Sequence, residues 1–142
     1  MCTYCGCRAI TVIGRFSADH ETIVNATGVL RRAAETSDLA STRDATQVLA
    51  GLLNPHTSSE ERSLFAELRR DPEFTDHVTE LCREHRDIDA GLAAVAGGDL
   101  TGVAALEMLL RRHIDKEENG LFPAAAIALD GPAWERVVER AR

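Results

Sequence analysis

One ten-residue pattern occurs twice in this chain and constrains its fold more than any other feature. Residues 56–65 and 113–122 both read H-x-x-x-E-E-x-x-L-F. On an α-helix, side chains four positions apart lie about 40° apart around the axis, so each histidine shares a face with the first glutamate. The duplication therefore predicts two equivalent helices that each present an imidazole and a carboxylate in one direction.

The spacing of the apolar residues predicts four long helices with short connections. The first begins at Ser17, the second at Leu39, the third at Asp71-Pro72 and the fourth after Gly97-Gly98, with Asp99 as its cap. Pro55 predicts a kink just before His56, and Pro123 should disturb the last turns of the fourth helix. No strand-like alternation occurs, and a short helix follows 130–132. We therefore predict an all-α, antiparallel up-down four-helix bundle over 16–142, behind a cysteine-containing leader at 1–15.

Length, composition and charge limit the classes of function. At 142 residues, 44% hydrophobic and 27% charged, the chain has the size and composition of one globular domain. A net charge of −7 argues against a nucleic-acid partner and an anionic membrane surface. No apolar run approaches the roughly 18 residues of a membrane span, and no secretory signal pattern is present. These features predict a cytoplasmic protein.

Two further histidines complete the pattern. His20 and His85 each precede an isoleucine by three positions, on the first and third predicted helices. The chain thus reads as two helical hairpins with pseudo-two-fold symmetry, which bring four imidazoles to one level of the core. A single histidine on an apolar face is usually a hydrogen-bonded core residue. Four histidines together with two buried carboxylates indicate a metal site instead, because unpaired buried carboxylates are costly and a bound dication offsets that cost.

The second glutamates of the pattern should lie outside the metal site, and the remaining six donors indicate the kind of metal. Glu61 and Glu118 are rotated by about 140° from their histidines and should face solvent or a helix boundary. Six nitrogen and oxygen donors without thiolate suit Fe, Mn, Zn or Co. The symmetry favours two ions that share Glu60 and Glu117, with positions left for an oxo bridge, water or a small ligand. A closed structural zinc site would need only four donors.

The ordered set H…H-x-x-x-E…H…H-x-x-x-E resembles the hemerythrin family in its HHE cation-binding form, over about 16–128. That resemblance implies a non-heme di-iron centre with two iron ions, oxo-bridged in some members, with Zn or Mn as alternatives. It also implies binding of O2, or a response to NO, peroxide or iron. The ligands implied by the resemblance are His20, His56, Glu60, His85, His113 and Glu117. Ferritin-like di-iron bundles are excluded, because no glutamate lies three positions before any of these histidines.

The chain departs from the oxygen-carrying members at two positions. Those members have a fifth histidine four positions before the third-helix histidine, where this chain has Leu81. His77 lies two turns before His85 and about 80° around the helix, so we interpret it as a surface residue. The second carboxylate is Glu117, four after its histidine, rather than an aspartate five after. A more open iron favours redox reactivity over reversible O2 carriage.

The leader carries three cysteines in the order C-x-x-C-x-C: Cys2, Cys5 and Cys7. They are compatible with a separate thiolate metal site, a redox-active dithiol or a frayed tail. Cys82, on the third helix, is the only other cysteine, and we interpret it as a small core residue.

Our leading hypothesis is a hemerythrin-like di-iron protein that binds or reacts with O2, NO or peroxide in a sensing or redox-protective role. No nucleophile or general base is evident beyond the metals. Any catalysis would therefore be metal-centred, of peroxidase, catalase-like or NO-reducing type. The alternative is a non-catalytic metal-binding or iron-sensing module that a partner protein reads. A metal-free interaction bundle ranks behind both.

Overall fold

A computed structural model describes the backbone of residues 5–142 and the side chains of residues 11–142. All regular secondary structure in this part of the chain is helical, which confirms the all-α prediction. The elements are α1 (Cys5–Glu35), α2 (Leu39–Glu60), a π turn (Glu61–Phe65), α3 (Ala66–Leu68), α4 (Pro72–Ala96), a 3-10 turn (Leu100–Gly102), α5 (Val103–Lys116), a second π turn (Glu117–Leu121), α6 (Phe122–Ala128) and α7 (Gly131–Ala141). Because the π and 3-10 turns join their neighbours without a break, these elements make five continuous helical runs.

Most helix ends lie where the sequence predicts them. Asp38, Asp71 and Asp130 are N-caps, and each side chain accepts a hydrogen bond from a backbone N–H of the first helical turn. Helix α4 ends at the glycine pair, where Gly98 adopts a φ of 107° that side chains rarely tolerate. Asp99 precedes the fourth helical run at the N-cap position, as predicted, but its side chain makes no capping hydrogen bond, and the run opens with the 3-10 turn.

Helix α1 already includes Cys5, the first residue whose backbone is described, twelve positions before the predicted start at Ser17. Val12 and Phe16 lie four positions apart on α1 and are both buried. Their packing against the core extends the helix toward the N-terminus, beyond the predicted cap. The Ser17 hydroxyl caps nothing and donates instead to a carboxylate oxygen of Glu118, at 2.9 Å. The division into a leader at 1–15 and a bundle at 16–142 stays a prediction.

Two irregularities fall within the helices that carry the duplicated pattern. Helix α2 continues through Pro55 to Glu60, so the proline is accommodated inside a helix that does not end there. A π turn begins directly after the first glutamate in the first copy of the pattern, and at the first glutamate in the second copy. A π turn takes one more residue than an α turn, which changes the direction of the side chains that follow.

The buried apolar residues form two clusters. One contains Phe16, Leu64, Leu81 and Leu121 and includes Trp134 of α7. The other contains residues such as Ile23, Leu53, Ile88 and Leu110. In each of the four long helical runs, the histidines and first glutamates of the predicted site lie in sequence between a member of the first cluster and a member of the second. A buried polar layer therefore separates the two clusters.

Helices α1 and α4 each pack against both α2 and α5, and α7 packs against α1 and the first π turn. This packing forms a helical bundle and positions the polar layer at its centre. Within the described range, none of the helices combines the length and the apolar character needed to cross a bilayer.

Candidate metal centre

Six side chains from four helical runs converge in the polar layer. His20 comes from α1, His56 and Glu60 from α2, His85 from α4, His113 from α5, and Glu117 from the start of the second π turn. All six are buried. The imidazoles meet in pairs, since the Nε2 atoms of His20 and His56 are 3.0 Å apart, as are those of His85 and His113. The structure thus brings together every residue of the ligand set.

The two carboxylates lie between the imidazole pairs. Glu60 Oε1 is 3.3 Å from Nε2 of both His56 and His85. Glu117 Oε1 is 3.0 Å from Nε2 of His20 and 3.5 Å from that of His113. The donors form two groups, one with His20 and His56 and the other with His85 and His113, and both groups include both glutamates.

The outer nitrogen of every imidazole faces another carboxylate. Nδ1 of His20 lies 2.7 Å from Glu118 Oε1, and Nδ1 of His85 lies 2.7 Å from Glu61 Oε2. Asp19 and Glu84, the residues immediately before His20 and His85, face Nδ1 of the other two histidines at 2.9 Å each. Since an ionised carboxylate can only accept, each Nδ1 carries a proton and donates it. In the neutral ring, Nε2 then keeps its lone pair and faces the centre, as in metal-ligating histidines.

The second glutamates of the pattern reach solvent, as expected, and also contact the imidazoles. Glu61 and Glu118 are partly exposed, at 44% and 32%, yet each hydrogen-bonds to a histidine of the other hairpin. Each glutamate lies within a π turn and contacts a helix of the other hairpin, which a helical wheel of its own helix does not show. The signal in the sequence was their exact repetition in both copies.

Phenyl rings fix the planes of the same two imidazoles. Phe122 stacks on His20 with ring centroids 5.8 Å apart, and Phe65 stacks on His85 at 5.6 Å. Both phenylalanines are the last residue of the duplicated pattern. Each copy therefore supplies an imidazole and its first carboxylate to the centre. Its second carboxylate and its phenyl ring contact a histidine of the other hairpin.

The residues fit a pair of divalent ions. All four oxygens of Glu60 and Glu117 are buried without a hydrogen-bond partner of acceptable geometry. Such groups are rare in native proteins, because each lost hydrogen bond to water is costly. Donor atoms that share one ion at bonds of about 2.0–2.1 Å lie roughly 3.0–3.4 Å apart. Five of the six nitrogen–nitrogen and nitrogen–oxygen distances above lie in that range, and the sixth, between Glu117 and His113, is 3.5 Å.

The local electrostatics also favours a cation. Burial and the charge of Glu117 raise the pKa of the Glu60 carboxyl well above its ordinary value. Burial opposes protonation of His20, His85 and His113, but the adjacent glutamates outweigh it and raise the pKa of each imidazole. Protons and metal ions therefore compete for the same nitrogen atoms.

The remaining residues singled out in the sequence lie outside this layer. Leu81 is fully buried in the first apolar cluster. His77 is partly exposed and belongs to neither donor group. The Cys82 thiol is free and buried, and its sulfur accepts a hydrogen bond from Arg69 at 3.2 Å. Cys2 and the side chains of Cys5 and Cys7 lie outside the described residues.

Two surface grooves reach the edge of the centre. One of about 470 Å³ is lined by Ser17, His20, Glu21 and Glu118, between α1 and the second π turn. The other, of about 410 Å³, is lined by Asp19, Pro55 and His56, between α1 and α2. Both approach the pair formed by His20 and His56.

Comparison with known proteins assigns the chain to a family. The family model of the hemerythrin HHE cation binding domain matches residues 11–125, which is well over half of the 142 residues. No curated protein and no solved structure matches the chain. The matched range includes all six converging residues, and the resemblance seen in the sequence is confirmed. The chain belongs to the hemerythrin HHE cation-binding family.

Proposed function

We propose that this protein is a non-heme di-iron protein that binds or reacts with O2, NO or peroxide, in a sensing or redox-protective role. His20 and His56 would hold one ion and His85 and His113 the other, with Glu60 and Glu117 shared. The observation that carries the proposal is the set of four buried carboxylate oxygens without hydrogen-bond partners, facing four imidazole nitrogens. Iron bound there would supply redox chemistry to a small ligand.

The donor count supports binding of a further small molecule. Each ion has two imidazoles and two shared carboxylates within reach, which leaves a six-coordinate iron incomplete. Leu81 occupies the position of the fifth histidine of oxygen carriers and is wholly buried, so no imidazole enters from there. This chain's residues would position the ligand, exclude bulk water with the phenyl rings, and keep the imidazoles oriented through their Nδ1 hydrogen bonds.

The proposed arrangement of the bundle is antiparallel. Helices α1 and α2 pack together across a connection of only three residues, and α4 and α5 pack together across a similarly short one. Short connections between packed neighbours are typical of up-down bundles. We further propose a cytoplasmic location, and a small ligand rather than nucleic acid or a membrane as the partner.

Metal analysis and optical spectroscopy of aerobically purified protein test the proposal. We expect about two irons per chain, near-ultraviolet charge-transfer bands, and spectral changes on addition of NO or peroxide. Glu60→Ala should abolish bound metal, because it removes a carboxylate common to both donor groups. His77→Ala is the matched control and should leave the metal content unchanged. Zinc alone with no spectral response, or loss of metal in His77→Ala, would contradict the proposal.

One observation favours a second candidate, an iron-sensing module read by a partner. The donors come from four different helical runs, so loss of metal would loosen the contacts between all of them. Limited proteolysis distinguishes the two functions. A sensor should expose new cleavage sites on iron removal and show no turnover of peroxide or NO. A redox-active protein should show turnover.

A further inference from the structure

The two proposed metal positions differ in one charged residue. Lys116, the only lysine in the chain, forms an ion pair with Glu84, whose other carboxylate oxygen accepts the Nδ1 hydrogen of His113. The carboxylate of Glu84 is 7% exposed and the side chain of Lys116 is 43% exposed, so solvent screens this pair only in part. The outer partner of His113 is therefore a carboxylate that is shared with a cation.

The equivalent position in the first copy of the pattern has no cation. Ser59 stands three residues after His56, as Lys116 stands three after His113. It is buried, and its hydroxyl donates to a backbone carbonyl of α7 at 3.5 Å. Among the described residues, no lysine or arginine forms an ion pair with Asp19, the carboxylate that holds His56. The pseudo-symmetry of the centre is thus broken at this position.

The same comparison holds for the other two imidazoles. Glu118, beside His20, receives a hydrogen bond from the Ser17 hydroxyl, and Glu61 faces His85. Within the described range, neither glutamate is paired with a lysine or arginine through an ion pair. Among the described residues, Glu84 is thus the only one of the four outer carboxylates that forms an ion pair with a lysine or arginine.

This difference has a direct effect on metal affinity. A carboxylate that accepts from Nδ1 increases the electron density at Nε2 and strengthens it as a ligand. Lys116 draws on the same carboxylate that accepts from His113 and so weakens this effect, and its own positive charge also repels a nearby dication. On the basis of the proposed two-metal function, we propose that Lys116 makes the two positions unequal. The position of His85 and His113 binds a divalent ion more weakly than that of His20 and His56, so the centre loads in order.

Titration of the metal-free full chain with Co²⁺, in competition with a chelating indicator, tests this inference without any measurement of activity. We expect two binding steps whose affinities differ by about tenfold, the low end of the effect of outer-sphere partners. His113→Ala should remove the weaker step, and His56→Ala should remove the tighter one. Lys116→Gln should bring the two steps together, while Lys116→Arg should keep them apart.

Arg111→Gln is the matched control for the loss of one positive charge. Arg111 lies on the same helix and its guanidinium is near Glu107, not Glu84, so the gap between the two steps should persist. Equal steps in the unaltered chain, or an unchanged gap in Lys116→Gln, would overturn the inference. If no Co²⁺ binds at all, the proposed function itself fails. Lys116 is partly exposed, so the variants at this position should fold, and circular dichroism verifies that they do.

Discussion

At the scale of single residues, the duplicated pattern encodes more than two ligands per copy. The sequence predicted the role of its histidine and first glutamate from their shared helical face. It did not predict the role of the second glutamate or the phenylalanine. These two reach across to a histidine of the other hairpin, through contacts such as those of Glu118 and Phe122 with His20. Contacts between distant segments leave no periodicity, so only the repetition itself pointed to them.

The hydrogen bond between Glu118 and His20 leads to a prediction on metal affinity. Glu118→Gln keeps an acceptor for Nδ1 but removes the negative charge, so we expect metal affinity to fall about tenfold. Competition with a chelator measures this. Glu21→Gln is the control, because Glu21 lines the same groove without holding an imidazole. Equal losses in both variants would mean that general surface charge, rather than the Nδ1 contact, sets the affinity.

At the scale of elements, sequence reasoning found the long helices and most of their ends. It succeeded where the signal was local, as at the start of α2 at Leu39 and at the cap Asp71. It failed where tertiary packing decides, as at the start of α1, which the burial of Val12 and Phe16 extends. The two π turns were also missed, because a helical wheel assumes a constant rotation per residue.

The docking of α7 gives a prediction that depends on pH. Arg136 of α7 donates to Glu67, a carboxylate only 3% exposed, at 2.6 Å. That hydrogen bond holds the pKa of Glu67 below its ordinary value of 4.5. A depressed carboxyl pKa stabilises the fold above the ordinary value, and the stabilisation is lost as pH falls through the folded-state pKa. Arg136→Gln should therefore lower the Tm at pH 7 by about 3 °C, and the deficit should shrink below pH 4.5.

Arg83→Gln is the control for the Arg136→Gln prediction. Arg83 pairs with Glu80 and Asp87 on the exposed face of α4, where ion pairs contribute little. Thermal unfolding followed by circular dichroism should show almost no change in the Tm of this variant, at pH 7 or below pH 4.5. If the Tm deficit of Arg136→Gln does not shrink below pH 4.5, it arises from lost packing of the arginine stem and not from loss of the ion pair.

At the scale of the whole molecule, the polar layer divides the core. One apolar cluster includes Trp134 and ties α7 to the bundle, and the other fills the opposite end. The layer between them contributes buried imidazoles and carboxylates in place of apolar contacts. Each donor group comes from three helical runs, and the two groups together come from all four. Metal bound in both groups would join the four runs at this level, so the stability of the molecule should depend on metal as well as on its two apolar clusters.

Removal of metal should therefore lower the free energy of unfolding, whereas Glu60→Gln should raise the free energy of unfolding of the metal-free chain. At free metal 100-fold above Kd, each ion contributes about 2.7 kcal/mol to the folded state. Urea unfolding with and without chelator measures the loss. Glu60→Gln should abolish this gain. It should nevertheless make the metal-free chain more stable than the unaltered one, because burial raises the pKa of Glu60 and disfavours its charge. Its amide can donate to the Nε2 lone pair of His56 or His85, each 3.3 Å from the present carboxylate oxygen. A chelated wild-type chain as stable as the loaded one would show that the layer is satisfied without metal.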